Sequence, residues 1–227
     1  MSNWKKVLKE ALTEPLPGYD AQKLMAPSNR FSNDDTIPSD DARISSVLLL
    51  IFPKHKRLFI PFIQRHKYKG AHSGQISLPG GKREANDKTN WDTAIRETRE
   101  ELGIDTSDIE YIGKLSPIYI PISNFIVHPY VGYLPYTPKF KPNEREVKEV
   151  LEVSIPKLFI EADSSNSFKK TIKDHEIVAP CFMVNEKRIW GATAMILSEL
   201  NIIFRERLPR WANALHSYSA HNARGSL

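Results

Sequence analysis

Gly80-Gly81-Lys82-Arg83-Glu84-Ala85-Asn86-Asp87, running on through Trp91 to Arg96-Glu97-Thr98-Arg99-Glu100-Glu101-Leu102-Gly103-Ile104, is the stretch on which the reading of this chain rests. It reads as a glycine turn followed by a short acidic helix. Thr89 is placed to cap the helix, and Asp92, three residues later, to complete a capping box. Gly103 stands where a helix needs a left-handed C-terminal residue. Ala94, Ile95, Thr98 and Leu102 recur at three- and four-residue spacing, which predicts one buried face.

The opposite face is unusual. Glu97 and Glu101 are four residues apart and Glu100 is three from Glu97, so on a helix the carboxylates are neighbours. Such like-charge pairs destabilise an isolated helix by roughly 0.2–0.5 kcal/mol each. A divalent cation reverses the sign of that effect, because carboxylate oxygens are the ligands magnesium and manganese prefer. Arg96, four residues before Glu100, can hold that side chain in place. On helix, charge and spacing alone, a solvated acidic face is the plain alternative.

The whole pattern says more. Gly81, five residues, Asp87, eight residues, then Arg-Glu-x-x-Glu-Glu-x-Gly-Ile resembles a Nudix box. The family pattern is Gly, five residues, Glu, seven residues, then Arg-Glu-apolar-x-Glu-Glu-x-Gly-apolar. Arg96 to Ile104 matches except at Thr98, which replaces an apolar residue. Asp87 stands for Glu and the spacer is one residue longer, and both departures are those of the family's coenzyme A pyrophosphatase branch.

The resemblance implies an α/β fold, with a mixed β-sheet sandwiched between α-helices (α/β/α). It implies hydrolysis of a nucleoside diphosphate linked to another group, with Mg²⁺ or Mn²⁺ as cofactor. Glu97, Glu100 and Glu101 would be the metal ligands. Glu100, Glu101 and Arg96 would be catalytic, Arg96 orienting Glu100 and pairing with Asp87. Many members place a further glutamate on a later loop as ligand or base; Glu146 is the first choice here and Glu149 the second, against an ordinary charged helix turn.

Just before the box, Arg65 to Gly81 carries five basic side chains, Arg65, His66, Lys67, Lys69 and His72, and several glycines. Arg and Lys can hold phosphate oxygens, and glycines let the backbone approach a phosphate closely. Arg65, Lys67, Lys69, His72, Gly74, Gly80 and Gly81 are the candidate substrate-binding residues; a solvated hairpin loop is the alternative. The order of residues is similar to the coenzyme A signature of that Nudix branch. Arg65, Gly74 and Pro79-Gly80-Gly81 match it, Leu78 replaces the usual Phe, and Gly70 occupies the second basic position, for which Lys69 or Lys67 could substitute. The implied substrate is coenzyme A or acyl-coenzyme A, giving 3′,5′-ADP and (acyl-)4′-phosphopantetheine. ADP-ribose, NADH, another nucleotide or a capped RNA are the alternatives, and a non-catalytic binding module a further one.

Along the rest of the chain, Trp4 to Leu12 has helical apolar spacing. Residues 15–38 read as an irregular lead-in. Strands are expected at Ile44–Phe52, Arg57–Gln64 (with Pro61 at an edge or bulge), Ile109–Ile120, Phe125–Tyr133, Phe168–Val178 and Pro180–Val184. A short helix is expected from Pro156, and a last helix beginning at Ile189. These place a lead-in at 1–41, one domain at 42–206 and a tail at 207–227. The structural role is the favoured reading for both Asn124 and His128.

The chain has 227 residues, a formal net charge of +5 and a pI near 9.2, with its basic residues scattered. That balance fits a small anionic substrate rather than nucleic acid, for which no basic run or finger spacing is present. Cys181 is the only cysteine, which excludes an intramolecular disulfide and fits a reducing compartment. No signal-length apolar segment or membrane span is read, so the expectation is a cytoplasmic enzyme. Family analogy adds a homodimer as a further expectation.

Overall fold

The computed structural model describes residues 4–28, 38–66, 74–161, 166–172 and 175–207. Its centre is strand β1 (Arg43–Lys54). Leu48 to Phe52 are all fully buried, and they alternate between two cores. Leu48, Leu50 and Phe52 join one, Leu49 and Ile51 the other. Period-two side chains of a central strand must face both layers. Each such side chain contributes roughly 1.5–3 kcal/mol of burial, which is why this apolar run takes the middle of the sheet.

The strands that follow are β2 (Arg57–Arg65), β3 (Ile76–Ser77), β4 (Gly80–Lys82), β5 (Glu110–Lys114), β6 (Ile118–Ile120), β7 (Phe125–Tyr133) and β8 (Val147–Ser154). With β1 they form one mixed eight-stranded sheet, β1 pairing in parallel with β7 and antiparallel with β2 and β4. A smaller antiparallel sheet holds β9 (Ser167–Ile172), β10 (His175–Val184) and β11 (Lys187–Trp190). Helix α1 (Trp4–Ala11), the short α2 (Tyr19–Gln22) and the last helix, α4 (Ala192–Arg207), cover one face of the large sheet. Helix α3 (Asn90–Leu102) covers the other through Ala94 and Leu102. The expected mixed sheet between helices is present.

Several local expectations need correction. The span Ile109–Ile120 is broken into β5 and β6, both paired with β7. In the small sheet Ile172 of β9 pairs with His175 of β10, and β10 runs unbroken through Ala179 and Pro180, where a break between two strands was expected. Ile189 and Trp190 complete β11, and α4 starts at Ala192, three residues after the expected Ile189 and past Gly191 at φ 65. Residues 143–153 form a turn and a strand, where a helix turn was the alternative. The short helix after Pro156 is a wider π-type turn, Lys157–Glu161. Pro61 pairs only with Glu152 of β8, between the residues of β2 that meet β1 and those that meet β3. The lead-in is more ordered than its composition predicts. It contains α2 and a 3₁₀ turn, Lys23–Met25, with Ala21, Met25 and Ala26 buried.

Candidate active site

Helix α3 is fixed at both ends by its own sequence. The Thr89 N–H donates to Asp92 Oδ2 at 2.8 Å, and the Asp92 N–H donates to Thr89 Oγ1 at 3.2 Å. Gly103 closes the helix at φ 60, its N–H donating to the Arg99 carbonyl at 2.9 Å. A cap of this kind contributes about 1 kcal/mol. The strand β4 lays Gly80 and Gly81 beside Val47 and Ser46 of β1, so the glycine turn and the acidic face of α3 stand together at the sheet.

Arg96 organises that face. Its Nε and Nη2 donate to the two oxygens of Asp87 at 3.0 Å each, a bidentate pair. Its Nη1 donates to Glu97 at 2.9 Å and Glu100 at 3.2 Å, and Nη2 also reaches the Lys82 carbonyl at 3.0 Å. The sequence assigned Arg96 to Asp87 and Glu100; its bond to Glu97 is new. Asp87 accepts further bonds from the Glu84 N–H and the Thr93 hydroxyl. The Arg96 guanidinium, foremost, holds the Asp87 carboxyl down at about 2.

Glu101 lies deeper than its neighbours, 1% exposed. The Gly80 N–H donates to its Oε2 at 2.8 Å, and Arg65 Nη2 stands 3.9 Å from its Oε1. Burial pushes its carboxyl up to about 8; Gly80 and Arg65 offset part of this, while Glu97 and Glu146 add to it. Burial also raises Glu97, against the pull of Arg96. A carboxyl held this far above its ordinary range, beside a cationic partner and in a cleft, marks a functional centre.

That cleft has a volume of about 960 Å³. Arg65, Glu97, Glu100, Glu101 and Glu146 line it. So do the apolar side chains of Pro27, Ile120, Ile122, Phe125, Ile177 and Trp190, with Lys170 Nζ 4.5 Å from the centre of the Trp190 ring. Gly80 and Gly81 line it too. Glu146 sits in the turn before β8 and lines the cleft, whereas Glu149 is committed to an ion pair with Lys187 outside it. Gly74 is a correction. It does not line the cleft; at φ 66 its N–H donates to the His66 carbonyl, tying together the two ends of the segment that precedes it. Lys67, Lys69 and His72 lie outside the described residues. Asn124 is structural, accepting bonds from Ser39 and Tyr119 and donating to Asp41. The apolar lining went unread in the sequence, because its residues come from five separate segments with no motif among them.

The structure contains no ions. Among the described residues no three His, Cys, Asp or Glu side chains converge at metal-ligand spacing. Glu97, Glu100 and Glu101 therefore do not meet at one point, because Arg96 draws Glu97 and Glu100 toward itself. Their chemistry still fits a hard divalent cation: oxygen donors on one helix face, with the Glu146 carboxylate close enough to add to the raised pKa of both Glu97 and Glu101.

A mixed sheet of this order, with a capped acidic helix laid on a glycine turn, is the frame on which the site is built. The NUDIX domain model matches residues 42–175. The chain belongs to the Nudix hydrolase family and is a pyrophosphohydrolase of that family. It is 32% identical to human mitochondrial coenzyme A diphosphatase NUDT8 over 135 residues, 59% of this chain and 57% of that one. It is 28% identical to mouse peroxisomal coenzyme A diphosphatase NUDT7 over 170 residues, 72% of this chain and 71% of that one. It is 30% identical to the uncharacterised Nudix hydrolase NudL of Photorhabdus laumondii over 167 residues, covering 71% and 85%. Among the described residues no helix is long and apolar enough to cross a membrane.

Proposed function

We propose that this chain hydrolyses the diphosphate of coenzyme A or an acyl-coenzyme A, releasing 3′,5′-ADP and (acyl-)4′-phosphopantetheine. The observation that carries this reading is the mixed lining of the cleft: carboxylates and Arg65 suited to a diphosphate, together with apolar side chains suited to a bulky arm. The names of the human and mouse relatives support the same substrate.

Hydrolysis adds one water across the P–O–P bridge. The water oxygen joins one phosphorus, the bridging oxygen leaves with the other phosphate, and one proton passes to a base. Glu146, exposed and lining the cleft, is the residue we assign as that base. Glu97, Glu100 and Glu101 would hold Mg²⁺ or Mn²⁺, which when bound supplies charge neutralisation to the diphosphate. Arg96 positions Glu97 and Glu100 and is itself held by Asp87. Arg65 neutralises phosphate oxygens beside Glu101. Gly80 offers its N–H to Glu101, and having no side chain it can lie against β1, where a Cβ would stand 2.3 Å from the Ser46 carbonyl oxygen.

The test is product analysis by mass spectrometry after incubation with Mg²⁺ or Mn²⁺ and coenzyme A, acyl-coenzyme A, ADP-ribose, NADH and diadenosine compounds. Release of 3′,5′-ADP and 4′-phosphopantetheine well above other products is the expected result. Preference for ADP-ribose or NADH would retain the hydrolase and overturn the coenzyme A assignment.

A further inference from the structure

Of the buried carboxylates among the described residues, Asp87 and Glu101 belong to the site just described, and Glu199 in α4 does not. Glu199 is wholly buried, and its donors among the described residues are neutral. The Gly18 N–H donates to Oε1 at 3.0 Å, Gln22 Nε2 to Oε2 at 3.3 Å, the Ser116 N–H to Oε2 at 3.2 Å, and the Ser116 hydroxyl to Oε1 at 2.6 Å. Gly18 can present its N–H because it adopts φ 56, ψ −134, a conformation that favours glycine. Nearby, Ser198 donates to the Ala21 carbonyl at 2.7 Å and Gln22 to the Ser116 carbonyl at 3.2 Å. One carboxylate thus ties together the lead-in, the turn between β5 and β6, and α4.

Each of those three segments continues into the lining of the cleft. The lead-in runs on to Pro27, and the next residue, Ser28, accepts at its Oγ the N–H of Val178, the neighbour of Ile177. The turn after β5 runs on to Ile120 and Ile122. On α4, Thr193 and Ile196 face the cleft less than two turns before Glu199. Apolar side chains would hold such packing without the desolvation that a buried carboxylate costs. What the carboxylate adds is a requirement that donors from two other segments be correctly placed.

We propose that Glu199 is a positioning residue for substrate binding: its carboxylate holds lead-in, β5–β6 turn and α4 as a single wall, making residues 18–28 a working part of the cleft. This rests on the reading of the cleft as the substrate site. None of the segments that Glu199 joins carries a catalytic carboxylate, so the effect falls on binding rather than on turnover.

The test compares full-length wild type, Glu199→Ala and Glu199→Gln by steady-state kinetics with coenzyme A and with ADP-ribose, alongside thermal melts. Glu199→Ala should raise KM for the preferred compound about tenfold or more while kcat stays within about twofold. Glu199→Gln keeps an oxygen for Ser116 and lets the Gln22 amide turn over, so its KM should stay within about threefold. A lowered melting temperature with unchanged KM would make Glu199 merely structural and overturn the proposal. Hydrogen exchange on substrate-free protein reads the same wall without catalysis. In Glu199→Ala the Val178 amide should exchange about tenfold faster, while those of Leu48 and Gly103 keep their protection. Uniform acceleration, or none, overturns the proposal. Wild type that cleaves nothing in the panel sinks the proposed function, and the exchange comparison then decides the role of Glu199 alone.

Discussion

The backbone of Gly81 lies directly against the carboxylate of Glu97. A Cβ at Gly81 would stand 2.4 Å from Glu97 Oε1 and 2.7 Å from Oε2, so the glycine is required by a side chain fifteen or so residues downstream rather than by its own backbone angles. Gly81→Ala should therefore push Glu97 out of place with the fold intact. The expected outcome is a fall in kcat of roughly 100-fold, as for a small misplacement of a reacting group, with an unchanged circular-dichroism spectrum. Full activity would show that Glu97 has room to move.

Arg96 binds three carboxylates at once, and lysine cannot reproduce that fork. Arg96→Lys should lower kcat by roughly 10–100-fold, the usual cost of losing a partner that orients ligands. It should also lower the melting temperature, because Asp87 is left buried without its bidentate partner. Activity equal to wild type would remove Arg96 from the site.

Asp87 sets an acid limit on stability. Its folded pKa of about 2 lies below its ordinary value, so the stabilisation is complete above pH 4 and is lost as pH falls toward 2. The displacement corresponds to about 2 kcal/mol. Urea titrations between pH 5 and 2 should show this loss in wild type and not in Asp87→Asn, which should start from a lower stability. Parallel curves for the two proteins would refute the assignment.

Glu101 acts in the opposite sense. Its folded pKa of about 8 lies above that of an unfolded glutamate, so metal-free protein should be most stable below about pH 4 on this account and lose stability as pH rises toward 8. Glu101→Gln should melt at a higher temperature than wild type at pH 8 in EDTA, yet lose nearly all turnover with Mg²⁺ present. Unchanged kcat at saturating Mg²⁺ is the result that would remove Glu101 from the reaction.

The Mg²⁺ dependence follows from the same group. Binding must displace the Glu101 proton, so apparent affinity measured by calorimetry should rise between pH 6 and 8, with proton release shown by differing heats in buffers of different ionisation enthalpy. No dependence on buffer would mean that Glu101 is not a ligand.

The acidic lining of the cleft was legible in the sequence because it is local. Thr89, Asp92 and Gly103 announce the helix, and a period of 3.6 sets Glu97, Glu100 and Glu101 on one side. The partnership of Arg96 with Glu97 was not legible, since neighbours in sequence diverge on a helix and only the bend of the side chain brings them together. Gly74 was misread because a glycine that closes a segment and one that faces a phosphate look alike in a motif. The start of α4 was misplaced for a similar reason: Ile189 and Trp190 are apolar in either a strand or a helix, and the left-handed Gly191 that separates the two carries no side chain to betray it. The apolar lining of the cleft was invisible, because Pro27, Ile120 and Trp190 come to one cleft only through the tertiary fold.

The parallel pairing of β1 with β7 joins Arg43 to Phe125 and Ile51 to Tyr133, and everything from β2 to the glycine turn and α3 lies in the chain between them. Closing so long a loop costs entropy before any contact repays it, which slows folding. The acidic centre is assembled inside that loop and depends on its closure. In a refolding experiment, turnover should therefore return with the slowest phase that restores tertiary structure, and no partly folded form of the chain should be active.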